Sequence, residues 1–182
     1  NIPGGDLWQT ISGSGNPAAI AFSPDGRLLA WGGYDQGYAV QLYDLSASSH
    51  LASLAGHQDG LFSIVFIPDG TLLAATSWNG RGIFWSTYTL EPVYAGPAHF
   101  HVAFHPDGSQ VALEQNDREG HAAVQIRDSL TWELQATYPI AGHIHAFNPE
   151  GDLLAAQSCC EYPNVRVGFL DVTSGQFVSS IE

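Results

Sequence analysis

A turn motif recurs four times along the chain, as SPDG, IPDG, HPDG and NPEG. The motif places its prolines at separations of 44, 38 and 43 residues, at Pro24, Pro68, Pro106 and Pro149. Proline fixes the backbone φ angle, the acidic side chain bonds nearby backbone, and glycine adopts the left-handed conformation. Each copy therefore predicts a tight hairpin turn, and the spacing indicates a chain built from structural repeats.

Four short runs in each repeat, here called a to d, predict four strands. Run a precedes the turn and ends two residues before the proline, at Phe22, Phe66, Phe104 and Phe147. Run b follows the turn and has apolar residues at consecutive positions, as in Leu72-Leu73-Ala74. Consecutive apolar residues are typical of a strand that is covered on both faces. Run c ends at separations of 42, 42 and 43 residues, at Asp44, Ser86, Asp128 and Asp171, and run d follows it.

The predicted fold class is all-β. A sheet of four strands cannot bury both faces by itself, so the copies must stack around an axis as the blades of a β-propeller. We expect four four-stranded antiparallel blades, at residues 13–55, 56–95, 96–138 and 139–182. Residues 1–12 are expected to hold strand d of a preceding blade.

That additional strand d, in DLWQTI at residues 6–11, gives one strand more than a closed ring of four blades contains. The simplest interpretation is a larger propeller of about six to eight blades, whose remaining blades lie outside this sequence. The alternative is a closed four-bladed ring with one strand misassigned. Pairing of residues 6–11 with strand c of the fourth copy would indicate the closed ring.

These residues resemble the WD40 repeat family, in a degenerate and bacterial-type form, over essentially the whole chain. In the second copy, Gly56-His57 stands 11 to 12 residues before Pro68, and Trp85-Ser86 stands at the family's Trp-Asp pair. The resemblance implies a structural hydrogen-bond network of His57, Ser77, Asn79 and Trp85. Asn79 replaces the family's aspartate, which weakens a charge-assisted bond. The resemblance also implies a non-catalytic platform for protein partners.

The charge of the chain narrows the expected partners. The chain has 18 acidic residues, five arginines and no lysine, and its formal net charge is −13. Nucleic acid and anionic membrane surfaces are therefore not expected to bind, because their phosphates would be repelled. No run reaches the roughly 18 apolar residues of a membrane span, so we expect no membrane insertion by this segment. The composition fits a secreted or cell-envelope protein at least as well as a cytoplasmic one.

The connections between runs b and c differ in length among the copies and predict a partner-binding rim. They carry tryptophan, tyrosine and arginine, the residue types that anchor protein interfaces. The candidate residues are Tyr34, Asp35, Tyr38, Trp78, Arg81, Arg118, His121 and Tyr162. The alternative is that these are ordinary loop tips whose aromatic rings fold back onto the blade.

Two histidine pairs raise a metal hypothesis. His99 with His101, and His143 with His145, each alternate along run a, so each pair is expected on one face of its sheet. Counted back from their prolines the two pairs have opposite parity, so they either meet between copies three and four or point apart. Only a meeting would provide ligands for zinc or copper. The alternative is that the rings pack between blades, and no cofactor is predicted.

Catalysis receives little support from the sequence, which has no G-x-S-x-G or H-E-x-x-H motif. Cys159-Cys160 lies in the b–c connection of the fourth copy, as a vicinal disulfide or as two free thiols. The sequence thus predicts a protein-interaction scaffold that is not an enzyme. The alternatives are a ligand- or metal-sensing propeller and a propeller enzyme with its site at the channel mouth.

Overall fold

The computed structural model describes residues 11, 16–34, 36–116, 122–140, 142–158 and 167–181. In these residues the regular structure consists of β-strands and one 3-10 turn at Gln36–Tyr38. The strands form four separate sheets, and in every sheet each strand pairs antiparallel with its neighbour in the chain. Over the same described residues, no helix is both long and apolar enough to cross a bilayer.

The sheets follow one another in chain order. The first sheet consists of β1 (Pro17–Phe22), β2 (Leu28–Gly33), β3 (Val40–Asp44) and β4 (Ser49–Leu54). The second consists of β5 (Leu61–Phe66), β6 (Leu72–Ser77), β7 (Arg81–Ser86) and β8 (Pro92–Pro97). The third consists of β9 (His99–Phe104), β10 (Gln110–Asn116), β11 (Ala122–Asp128) and β12 (Leu134–Pro139). The fourth consists of β13 (Gly142–Phe147), β14 (Leu153–Ser158), β15 (Val167–Asp171) and β16 (Phe177–Ile181). The all-β class with four four-stranded antiparallel blades is confirmed.

The repeated turn connects the first two strands of every sheet. Its glycine has a φ angle between 70° and 81° in all four copies, in the left-handed region that glycine tolerates best. The glycine N–H donates to the carbonyl three residues earlier in Gly26→Ser23, Gly70→Ile67, Gly108→His105 and Gly151→Asn148. In the second copy the Asp69 carboxylate also accepts the Thr71 N–H at 2.8 Å. The predicted tight hairpin is therefore confirmed.

The sheets stack face to face, and the first strand of each sheet contacts the first strand of the next: β1 with β5, β5 with β9, and β9 with β13. Each of the three interfaces has its own buried cluster. Between the first two sheets it includes Leu42, Ile64, Phe66 and Trp85. Between the second and third it includes Ala74, Phe84, Phe104 and Val111. Between the third and fourth it includes Ala112, Val124, Ile144 and Leu170.

Strands b and c of the two middle sheets are covered on both faces, as the consecutive apolar residues predicted. In β6, Leu73 faces the first sheet and Ala74 faces the third, and neither is accessible to solvent. In β7, Trp85 faces the first sheet and Phe84 faces the third, because successive side chains of a strand point to opposite faces. Each middle sheet is therefore buried between the two sheets that flank it.

The first sheet has an apolar face that no other sheet covers among the described residues. Ile20 and Phe22 of β1 are each 64% exposed, whereas Ile64 and Phe66, at the same distance from the turn in β5, are each 7% exposed. In the part of the chain described here, β1 and β13 share no extended contact of the kind that joins successive sheets. Of the predicted strand at residues 6–11, only Ile11 is described. The predicted boundaries of the repeats stay predictions.

Removing a large ring from the second interface should strongly destabilise the fold. Phe84 is fully buried and contacts Tyr94, Phe104 and Trp132, with ring centroids 4.9 to 6.2 Å apart. Phe84→Ala should lower the free energy of unfolding by about 3–5 kcal/mol, measured by chemical denaturation. The control is Tyr88→Ala in the β7–β8 turn, where the ring is 80% exposed and the change should stay within about 0.5 kcal/mol. Equal losses in the two variants would contradict the stacked arrangement.

Candidate functional site

The four residues assigned to a structural network lie together in the second sheet. His57 Nδ1 is 2.9 Å from Ser77 Oγ, which in turn lies 2.8 Å from Asn79 Oδ1 and 3.1 Å from the Arg81 carbonyl oxygen. The His57 ring centroid is 5.8 Å from that of Trp85. His57, Ser77 and Trp85 are buried. These contacts tie the segment before β5 to the turn between β6 and β7.

Burial markedly lowers the pKa of the His57 imidazole. Burial, and to a smaller extent the positive charge of Arg81, lower the pKa of His57 from its ordinary 6.5 to about 4. The ring is therefore neutral near pH 7, and which nitrogen carries the proton depends on its bond to Ser77. Within the described residues, His57 Nε2 is buried without a hydrogen-bond partner.

Aromatic side chains line the rim formed by the b–c turns and the starts of the first strands. Trp78 packs edge-to-face on Phe62 at 4.8 Å and on Phe100 at 5.9 Å, and Phe62 and Phe100 are 5.2 Å apart. We call Phe62, Trp78 and Phe100 the rim aromatic row. Trp78 is 48% exposed although its backbone N–H is tied to the Gly60 carbonyl at 3.0 Å. The row is held in place and still reaches solvent.

The other predicted rim residues divide into described and undescribed ones. Tyr34 is 52% exposed, and its ring lies so close to Gly60 that a Cβ added there would be 2.4 Å from it. Arg81 is exposed at the start of β7, and Tyr38 is partly buried with a φ angle of 58°. The remaining predicted rim residues, Asp35, Arg118, His121 and Tyr162, lie outside the described residues, as do Cys159 and Cys160.

Three of the four predicted histidines meet between the third and fourth sheets. His101 lies near both His143 and His145, with ring centroids 5.6 and 5.1 Å apart. Between the rings lies Glu114 of β10, whose carboxylate is 3.0 Å from His143 Nδ1 and 3.4 Å from His101 Nδ1. We call His101, Glu114 and His143 the His–Glu cluster. His145 bonds Gln157 instead, at 3.0 Å.

His99 does not join this cluster, because β9 does not alternate regularly. Leu113 pairs with Val102 and Glu114 with His99, which leaves Phe100 and His101 as unpaired extra residues in β9. Phe100 has a φ angle of 45°, as expected where a bulge bends a strand. The His99 ring therefore packs against Gly80 in the β6–β7 turn, while His101 points toward Glu114. We expected His99 and His101 on one face of the sheet because we assumed a regular strand. The bulge in β9 places their side chains in different surroundings instead.

Sequence reasoning missed Glu114, Phe62 and Phe100. Glu114 belongs to VALEQ, where a single acidic residue interrupts an apolar strand b. An acidic residue in a strand covered on both faces is rarely buried without a partner, and that signal was available. Phe62 and Phe100 gave no comparable signal, since a phenylalanine in strand a predicts only core packing.

The sheets stack in chain order, share one type of turn and contact one another through their first strands. This arrangement defines the class of protein as a β-propeller, with the four sheets as consecutive blades. The family description WD domain, G-beta repeat matches residues 48–86, which include all four residues of the His57 network. The chain is also 30% identical over 104 residues to a Periodic tryptophan protein 2 homolog of Neurospora crassa, a match covering 55% of this chain and 12% of the relative. These matches identify a WD40 repeat at residues 48–86 and support a WD40 β-propeller for the stacked sheets.

Further similarities agree on the fold. The chain is 30% identical over 83 residues to a guanine nucleotide-binding protein subunit beta of Schizosaccharomyces pombe, which covers 45% of this chain and 26% of the relative. In the solved structure titled Kuenenia stuttgartiensis Hydrazine Synthase, one chain superposes on 97% of this chain with a TM-score of 0.74 and 18% identity. The match covers 52% of that chain, and at this identity it shows the fold alone. The matched regions span about an eighth to a quarter of the length of these sequence relatives. Because the sequence relatives come from eukaryotes, they do not support the bacterial type expected from the repeats.

The lowered pKa of His57 predicts a specific loss of stability in acid. The unfolded chain binds a proton at His57 near pH 6.5, and the folded chain binds it only near pH 4. The contribution of His57 to the free energy of unfolding is therefore complete above pH 6.5 and is lost as the pH falls toward 4. The loss should reach at most about 3 kcal/mol. Denaturant unfolding at pH 7.5 and pH 4.5 should show a smaller pH dependence in His57→Gln, which cannot titrate, than in the wild type. The same pH dependence in both proteins would contradict a neutral buried His57.

Proposed function

We propose that this chain is part of a non-catalytic propeller that binds a protein partner at its b–c rim. The observation that carries the proposal is the rim aromatic row. The indole of Trp78 is half exposed, and the contacts around it fix its position. Trp78 is held by two phenylalanine rings and a backbone bond, so little conformational entropy is lost when a partner covers it. Rigid aromatic side chains of this kind are typical centres of protein interfaces.

The surroundings of the row favour a polypeptide with positive charge. Tyr34 and Arg81 are exposed on the same rim, and both are residue types that are enriched at interface centres. The chain as a whole carries a formal net charge of −13, which attracts cationic partners and repels anionic ones at long range. We therefore propose a partner segment that combines basic and apolar side chains.

The non-catalytic part of the proposal rests on the burial and the hydrogen bonds of the Ser–His pair with the shortest separation among the described residues. Ser77 and His57 are within hydrogen-bond distance, which is the geometry of an activated nucleophile. Ser77 is completely buried, however, and its hydroxyl is also shared with Asn79 and the Arg81 carbonyl. A hydroxyl that no substrate can reach does not serve as a nucleophile, so this pair supports a structural role.

Binding can be tested by comparing the two rims of the second sheet. A photo-crosslinking residue placed at Trp78 identifies the partner, and the affinity of the purified pair is then measured by calorimetry. Trp78→Ala should weaken binding at least about 30-fold, the loss expected of an interface anchor. Tyr88→Ala on the opposite rim is the matched control, because it also removes an exposed aromatic ring, and it should change affinity less than about twofold. Crosslinks centred on Tyr88, or equal losses in both variants, would overturn the proposed rim.

We also propose that further blades continue the wall beyond the first sheet. Support comes from the exposed Ile20 and Phe22, whose counterparts Ile64 and Phe66 are buried by the preceding sheet. Val167 of β15 is 37% exposed, whereas Val40 and Val124, at the same distance from the end of strand c, are inaccessible. Both ends of the described wall therefore present apolar positions that a neighbouring blade buries elsewhere in the chain.

A stability comparison tests this extension in the whole protein as it is expressed. If a preceding blade covers β1, Phe22→Ala should cost about as much as Phe66→Ala, in the range of about 3–5 kcal/mol. The measurement is denaturant unfolding of both variants beside the wild type. A cost below about 0.5 kcal/mol for Phe22→Ala alone would show that this face stays open to solvent.

A further inference from the structure

The His–Glu cluster between the third and fourth sheets has the donor set of a metal site. We propose that His101, Glu114 and His143 bind one divalent transition-metal ion, with Zn²⁺ the ion that fits best. The proposal does not depend on partner binding at the rim, because it rests on three side chains that lie on β9, β10 and β13.

The spacing of the donor atoms fits a tetrahedral ion. Zinc lies about 2.0–2.2 Å from nitrogen and oxygen ligands, which separates two ligands of a tetrahedron by about 3.3 Å. The Glu114 carboxylate is 3.0 Å from His143 Nδ1 and 3.4 Å from His101 Nδ1. One donor atom from each of the three side chains lies within 4.8 Å of the other two. The two separations from the Glu114 carboxylate are therefore close to those between ligands of one zinc ion.

One donor of the cluster has no other use in the described part of the chain. His101 Nδ1 is buried, and at 3.4 Å from Glu114 it does not make a hydrogen bond. A buried ring nitrogen without a partner is costly, and a metal ion would satisfy it. This observation separates the cluster from an ordinary pair of histidines that pack between blades.

Glu114 is positioned as ligating carboxylates are. Its side chain is 5% exposed, and its Oε1 accepts the backbone N–H of Ile144 at 2.6 Å, which fixes the carboxylate across the interface. Hydrogen bonds of this kind orient metal ligands. In a chain with a net charge of −13, a buried carboxylate also favours a bound cation.

Two imidazoles and one carboxylate select the type of ion. Nitrogen donors favour zinc and neighbouring transition metals over Mg²⁺ and Ca²⁺, which prefer oxygen. Three protein ligands leave the fourth tetrahedral position for water or for an external donor. The His101 and His143 side chains are 29% and 30% exposed, so an ion can enter from solvent. Phe62 and Phe100 pack edge-on against these two rings at 5.0 and 5.1 Å and limit their rotation.

Metal binding is tested on the purified protein after chelator treatment and removal of the chelator. Titration with Zn²⁺ in a calorimeter should show one site per chain, and Co²⁺ should give the visible absorption of a tetrahedral site. His143→Gln and Glu114→Gln should each weaken Zn²⁺ binding by more than about 100-fold, beyond the losses caused by changes to supporting residues. His99→Gln is the matched control, because it removes a histidine two positions from His101 and outside the cluster, and it should bind as the wild type does.

Three outcomes would overturn the proposal. The first is the absence of stoichiometric Zn²⁺ binding by the folded wild-type protein. The second is an equal loss in His99→Gln and His143→Gln. The third is binding that survives in His143→Gln but disappears when Cys159 and Cys160 are both replaced by serine, which would place the ion at the thiols. Circular dichroism of each variant separates lost ligands from lost fold, and the comparison of His143→Gln with His99→Gln decides the question even if Glu114→Gln does not fold.

Discussion

Every part of this structure depends on the stacking of sheets that are apolar on both faces. In the second sheet, Leu73 and Trp85 pack toward the first sheet while Ala74 and Phe84 pack toward the third. Such a sheet is stable only when both faces are covered, because the apolar surface removed from water supplies the main favourable free energy. The stacking of each sheet against the next follows from this requirement.

Polar side chains of strand b add direction to this non-directional packing. Thr76 and Glu114 stand at equivalent positions, each paired with the residue four positions before the end of strand c. Thr76 donates to the Phe100 carbonyl at 2.5 Å, and Glu114 accepts the Ile144 N–H at 2.6 Å. At two successive interfaces, strand b thus bonds the backbone of the next first strand. One of these bonds holds the carboxylate of the His–Glu cluster.

The rim and the cluster are adjacent parts of one surface. Phe100 contacts Trp78 on one side and His143 on the other, at 5.9 and 5.1 Å. Its positive φ angle marks the bulge that also turns His101 toward Glu114. A single irregularity in β9 therefore contributes both to the aromatic row and to the arrangement of the possible ligands. Strained backbone of this kind is often found at functional sites.

The sequence alone determined the repeat, the strands and the turns, because these depend on residues close together in the chain. Pro68, Asp69 and Gly70 specify their hairpin locally, and the apolar run Leu72-Leu73-Ala74 indicates burial on both faces without reference to a partner. The His57 network residues were also named from the sequence, through their likeness to a family motif, and they lie together in the structure.

Only the tertiary structure decided which histidines meet. Regular alternation places His99 and His101 on one face, but Phe100 and His101 are extra residues of a bulge in β9. The bulge depends on pairing with β10 rather than on local preference. Glu114 reaches His143 from another sheet, 29 residues away in the chain. The stacking of whole sheets sets that distance, and no pattern within one strand contains it.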